Sequence, residues 1–182
     1  MKQIKLFILA FACPLAVFCQ DITGLWSGTL YNDSTQQNHQ YELGICKEKD
    51  KYVAYSHTWF VIDGNKYYGL KKVKVRIAGD GKVIVQDDEL LSNNYPVPPN
   101  KNVRQLNVLS FQSAGDATVL NGPFVTSRTK DFNELTGHIN LTRKGNFTAS
   151  DLVSHLEQMG KGTEFTLTSN KPELIVKSEK KK

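Results

Sequence analysis

Between residues 22 and 141 apolar side chains recur at every second position, in short runs parted by turn residues. That is the pattern of strands with one buried face, not of helices. Trp26, Gly28 and Leu30 share one parity, as do Tyr41, Leu43 and Ile45. Val53, Tyr55, His57, Trp59 and Val61 form a third series, and the Asp63-Gly64-Asn65 turn then returns the chain antiparallel through residues 67–77. There Val73, Val75 and Ile77 alternate with Lys72, Lys74 and Arg76, so one face is buried and the basic one is wet. Gly79-Asp80-Gly81 leads into a strand over 83–86, and the acidic, proline-containing residues 87–100 read as a long loop. Strands over 104–112, 117–126 and 135–143 complete a set of eight.

After Gly145 the period changes. Ser150 is placed to cap a helix in which Leu152, Val153, Leu156 and Met159 recur at helical spacing, until Gly160 and Gly162 stop it. Residues 164–168 alternate again and predict one extra strand, and residues 171–182 form a polar, basic tail without the apolar content to fold. Eight sequential antiparallel strands leave two open edges, which closure removes. The predicted fold is therefore all-β: an eight-stranded antiparallel up-and-down barrel with a short C-terminal helix and an extra strand, as one domain over 20–170. A two-sheet sandwich satisfies the same strand count, and the late helix with its following strand favours the barrel.

The N-terminus reads as a signal peptide over residues 1–19. Lys2 and Lys5 start it, residues 6–18 are apolar, and Val17-Phe18-Cys19 offers a cleavage site before Gln20. The apolar stretch is too short to cross a bilayer about 30 Å thick, and no later segment is apolar enough, so a secreted or periplasmic protein with no membrane span is expected. A lipid anchor at Cys19 is the competing reading, against which bulky Phe18 stands. Cleavage after Cys19 leaves Cys46 as a single cysteine, so the mature chain has no intrachain disulfide and must hold by burial. A chain of its size buries about 70% of its unfolded surface.

The formal charge of +5 sits at the ends. Lys2 and Lys5 lie in the leader, and Lys177, Lys180, Lys181 and Lys182 against Glu179 lie in the tail, so residues 20–176 carry as many acids as bases. The body lacks the one-sided basic face that phosphate binding requires, and no nucleic-acid partner is expected.

The strand pattern and two motif positions resemble the lipocalin-like, or calycin, barrels. These open their first strand with Gly-x-Trp, here Gly24-Leu25-Trp26, and place a basic residue near the end of the last barrel strand, here Arg143. The helix and extra strand after residue 150 match the lipocalin order as well. The opening Ile22-Thr23-Gly24-Leu25-Trp26 is also similar to avidin-type barrels, whose later biotin-gripping tryptophans are missing here. A physical reason for the Trp–Arg pair exists apart from the family, because an eight-stranded barrel has a narrow floor that an indole under a guanidinium can plug. Arg143 shares the parity of Leu135, Gly137, Ile139 and Leu141. The plainer alternative makes Trp26 an ordinary core residue and Arg143 a surface one.

A barrel of this size either fills with side chains or encloses one small ligand. The parity of the second and third strands places Tyr41, Tyr55, His57 and Trp59 on the inner face, where aromatic walls with polar tips suit a small apolar or amphipathic molecule. A packed core with hydrogen-bonded tyrosines is the alternative. Residues 87–100, with Leu90, Leu91, Tyr95 and Val97 among prolines, are either a lid over the mouth or an insertion without a role.

Catalysis finds little support. His39, His57, His138 and His155 are scattered, no sequence motif around Cys46 marks it as a nucleophile, and neither a Gly-x-Ser-x-Gly elbow nor a phosphate-binding glycine loop occurs. The expectation is a non-enzymatic binding barrel with no metal and no cofactor. The alternatives are a solid-core module that contacts protein or glycan through its loops, or a small enzyme using Tyr55 or His57 as acid or base.

Overall fold

The computed structural model describes residues 21–114, 117–145 and 150–162. The leader over 1–19, the extra strand over 164–168 and the tail over 171–182 lie outside them. Eight strands follow one another: β1 (Gly24–Asn32), β2 (Gln37–Glu48), β3 (Lys51–Ile62), β4 (Asn65–Ile77), β5 (Val83–Asn93), β6 (Gln105–Ala114), β7 (Ala117–Thr126) and β8 (Thr136–Lys144). Each pairs antiparallel with the next, and β8 pairs with β1, so the sheet closes into a barrel. The helix α1 (Asp151–Gln158) follows. No helix among the described residues is long and apolar enough to cross a membrane.

Local chemistry explains the joints. Asp63 and Gly64 both take positive φ, 50° and 78°, the geometry of a tight two-residue hairpin whose twist matches the flanking strands. Ser150 is the N-cap of α1: its hydroxyl accepts from the amide of Val153 at 3.2 Å.

The inward-facing residues form one apolar cluster, which includes Trp26, Leu43, Ile45, Val85, Leu109, Leu120 and Ile139. At its floor Trp26 is 0% exposed, and its Nε1 donates to the carbonyl of Ile22 at 3.0 Å. The guanidinium carbon of Arg143 lies 4.7 Å from the Trp26 ring centroid and 5.9 Å from that of Phe111, which meets Trp26 edge-on. Nη2 of Arg143 donates to the carbonyl of Asp21, tying the segment before β1 across the floor. Gly24, at φ 122°, lets the backbone turn beside the Arg143 stem.

A second apolar cluster lies outside the barrel wall. Leu152 and Leu156 of α1 bury themselves there against Leu25, Cys46, Tyr55 and Leu70.

The loop expected over residues 87–100 begins later. β5 continues to Asn93, and only the residues after it leave the sheet. The acidic run that suggested a loop is neutralised across the ladder by basic residues of β4. Lys71 pairs with Asp87 at 2.5 Å and Lys74 with Asp88 at 2.7 Å, and Lys72 stands opposite Glu89. Two register shifts between β4 and β5 accommodate extra residues there. Against β6, in contrast, β5 pairs only over residues 83–86 with 106–109, and beyond that the two strands diverge.

Candidate ligand-binding site at the barrel mouth

The divergence of β5 from β6 opens the wall at one end of the barrel. Alternation along β5 carries Val83 and Val85 inward, and Asp87 continues that series, so a carboxylate points into the interior at the end of an apolar strand. Two donors hold it. Lys71 Nζ donates to Oδ2 at 2.5 Å, and the backbone amide of Gln105 donates to the same oxygen at 3.1 Å. The second bond bridges the gap where the β5–β6 ladder has ended.

Beneath this pair lies a buried polar floor. Asn107 Nδ2 donates to the hydroxyl of Tyr41 at 3.3 Å, Gln105 Nε2 donates to Asn107 Oδ1 at 2.8 Å, and Ser56 also hydrogen-bonds Tyr41. Burial, reinforced by the negative charge of Asp87, pushes the Tyr41 hydroxyl far above its ordinary range, so it stays neutral. Satisfied polar networks of this kind fix the geometry around them, because a partner lost in the dry interior is costly.

A cavity of about 790 Å³ opens above Lys71 and Asp87. Its apolar wall comes from Phe60 and Ile62 at the end of β3, Leu90 of β5, and Phe132 and Leu135 before β8. Residues 95–104 arch over it, led by Tyr95 and three prolines. The Tyr95 ring lies 5.4 Å from that of Phe60, and burial, with Asp87 nearby, raises its pKa to about 12. A larger concavity of about 1110 Å³ runs along β3 and β4 beside the β2–β3 turn. Charged side chains such as Lys51, Lys74 and Arg76 line it, and none of the described buried polar residues does.

The four residues expected to line the interior divide. Tyr41 faces inward, as predicted from parity. Tyr55, His57 and Trp59 do not: the ladder sets them opposite Gly44, Glu42 and Gln40, on the outward parity of β2, while Ala54, Ser56 and Thr58 face in. Alternation shows which residues share a face but not which face is enclosed. Along β3 the inward face carries the small residues Ala54, Ser56 and Thr58 before it reaches Phe60 at the mouth, with Thr58 standing opposite Tyr41. The bulky ones are covered from outside, Tyr55 in the cluster under α1 and His57 against the helix residue His155.

His57 sits in a stack of its own there. Its Nε2 lies 2.8 Å from Nδ1 of His155, its ring stacks on Tyr68 at 5.2 Å, and Trp59 packs against it at 3.9 Å. Its Nδ1 is buried without a hydrogen-bond partner. Burial first, then the neighbouring His155 and Lys66, lower its pKa to about 3, so the imidazole is neutral in the fold. Nearby, Glu42 receives both the Ser150 hydroxyl and the Leu152 amide at 2.9 Å, which docks the positive end of the α1 dipole on the wall.

The sequence pattern alone does not mark Lys71, Asp87, Asn107, Tyr95 and Phe60 as a site. A signal for Asp87 is present in it, since that residue extends the inward series of Val83 and Val85. Among the described residues no group of three or more His, Cys, Asp or Glu side chains is arranged to hold a metal ion. A scan against protein-family models, a search of curated proteins and a search of solved structures each found no match to this chain.

Proposed function

We propose that this chain is a non-catalytic, lipocalin-like barrel that takes up a small amphipathic molecule at its mouth. The observation that carries the reading is the inward-facing Lys71–Asp87 pair at the base of an aromatic-walled cavity. An apolar enclosure with a few convergent polar groups suits a ligand that buries a hydrophobic body and orients itself by one polar end. The Trp26–Arg143 contact supports the lipocalin-like assignment by its position, linking the first and last barrel strands. Export, to the periplasm or beyond the cell, is supported by the leader sequence.

The absence of catalysis is part of the proposal. The described cavity lining holds carboxylates, bases and a tyrosine but neither histidine nor cysteine, and the charges of Lys71 and Asp87 are committed to each other. His57, the acid–base candidate of the sequence, lies on the opposite side of the wall.

The test is uptake of a neutral fluorescent naphthylamine by the purified mature chain. Phe60→Ala and Phe132→Ala each weaken uptake by about tenfold, the effect of removing one well-buried contact. Trp59→Ala, on the outer face, leaves it unchanged. If the probe stays out of the wild-type chain, the interaction-module reading replaces this one.

A further inference from the structure

We propose that the barrel mouth contains a seat shaped for a para-substituted phenol, filled in this structure by the protein's own Tyr95, and that a phenolic small molecule takes that seat by displacing it. The inference rests on the mouth reading and narrows it to a ligand class.

Gly69 of β4 is the first observation. It pairs with Thr58 and Asn93, and its backbone is not in the left-handed region, so conformational freedom does not explain a glycine there. Space does. A methyl at this position would collide with the Tyr95 hydroxyl and lie 2.9 Å from Cζ and 3.4 Å from Cε1 of the same ring. The strand is notched where the phenol enters.

The other walls complete a slot for a flat ring. Phe60 lies across it at a centroid distance of 5.4 Å and is itself backed by Tyr67 at 6.0 Å. Aromatic pairs at these separations gain energy beyond simple area burial. The Asp87 carboxylate acts on the Tyr95 hydroxyl electrostatically, so the deep end of the seat is polar while its flanks are apolar. The ring enters hydroxyl first, and its para carbon points back to the cavity. A ligand in the same pose is therefore a phenol whose para substituent points back into the cavity that Ile62 and Leu90 help to line.

The chain around Tyr95 makes such an exchange feasible. Asn94 is clamped to β4, accepting from the Tyr68 amide at 2.7 Å and donating to the Lys66 carbonyl at 3.3 Å. Beyond Tyr95 the sequence Pro96-Val97-Pro98-Pro99 has three residues with no amide to donate, and Val97 is 67% exposed. The ring thus hangs from a fixed hinge as a tethered competitor, present at an effective concentration of the order of millimolar.

The probe is p-cresol, with cyclohexanol as a non-aromatic control, followed by calorimetry and thermal shift. Removing the competitor by Tyr95→Ala raises p-cresol affinity at least tenfold, Tyr95→Phe, which keeps the competing ring but loses its hydroxyl, gives a smaller gain, and cyclohexanol gains less than twofold. Adding Gly69→Val to Tyr95→Ala fills the notch and cancels the gain. If Tyr95→Ala proves poorly folded, the wild-type chain decides: saturating p-cresol speeds amide hydrogen exchange over residues 95–104. Equal p-cresol affinity in Tyr95→Ala and wild type, an undiminished gain in the double variant, or unchanged exchange overturns the proposal. A chain that binds the naphthylamine but fails these tests keeps its mouth site and loses the phenol seat.

Discussion

His57 Nε2 and His155 Nδ1 lie 2.8 Å apart and join the outer wall of the barrel to helix α1. Lys66, Tyr68 and Trp59 also surround the His57 ring, and Glu42 stands opposite it in the ladder. With a folded pKa near 3 against 6.5 for a free histidine, the neutral imidazole contributes stability that is fully present above about pH 6.5. It is lost progressively as pH falls toward 3, because the unfolded chain then binds a proton that the fold excludes. Each tenfold difference in proton affinity corresponds to about 1.4 kcal/mol, so stability falls by about 2 to 3 kcal/mol between neutral pH and about pH 4. Urea unfolding across this range checks it: His57→Gln flattens the dependence, and an equally steep slope in that variant refutes the assignment.

The floor predicts a coupled pair. Trp26→Ala costs about 3 to 5 kcal/mol as a large-to-small core change. Arg143→Met removes a cation–π contact worth about 1 to 2 kcal/mol. The double variant is more stable than the sum of the two losses implies, because each substitution already breaks the same contact. Denaturant midpoints of the three variants measure the coupling, and strict additivity would separate the two residues energetically.

Lys71→Met strands the Asp87 carboxylate in the interior and destabilises the barrel by about 2 to 4 kcal/mol. Adding Asp87→Asn removes the stranded charge while keeping an acceptor for the Gln105 amide, and recovers at least about 1 kcal/mol of that loss. Thermal unfolding of the single and double variants shows whether the recovery occurs.

Helix docking is separable from barrel closure. Ser150→Ala removes the cap at a cost of about 1 kcal/mol, and Glu42→Ala leaves the Leu152 amide and Ser150 hydroxyl without their acceptor at about 1 to 3 kcal/mol. In both variants hydrogen exchange quickens in α1 but not in β1 or β8. A uniform rise across the barrel would show that helix and barrel form one cooperative unit.

Much of the architecture was legible because it rests on local rules. Alternation located all eight strands, the Asp63-Gly64 pair marked a hairpin, and Ser150 before a helical run marked the start of α1. What sequence could not give was which side of β3 faces in, since Tyr55, His57 and Trp59 are apolar enough for a core and the cover over Tyr55 and His57 arrives from residues about a hundred positions later. The extent of β5 was hidden for a similar reason. Asp87, Asp88 and Glu89 look like loop residues until Lys71, Lys72 and Lys74 stand beside them. The mouth site depends on both facts, so of its members Tyr41 was recognised as inward-facing, and Leu90, Tyr95 and Val97 were noted as parts of a lid, without Gly69, the partner of Tyr95.

The brief pairing of β5 with β6 bears on how the molecule comes apart. Past residue 86 the join between these staves depends on a side chain, through the Asp87 carboxylate and the Gln105 amide, where the other joins run on main-chain bonds. Unzipping should begin there, at the same place that a guest enters. Whatever lodges in the mouth therefore acts as a stitch, and the filled vessel resists tearing more than the vacant one.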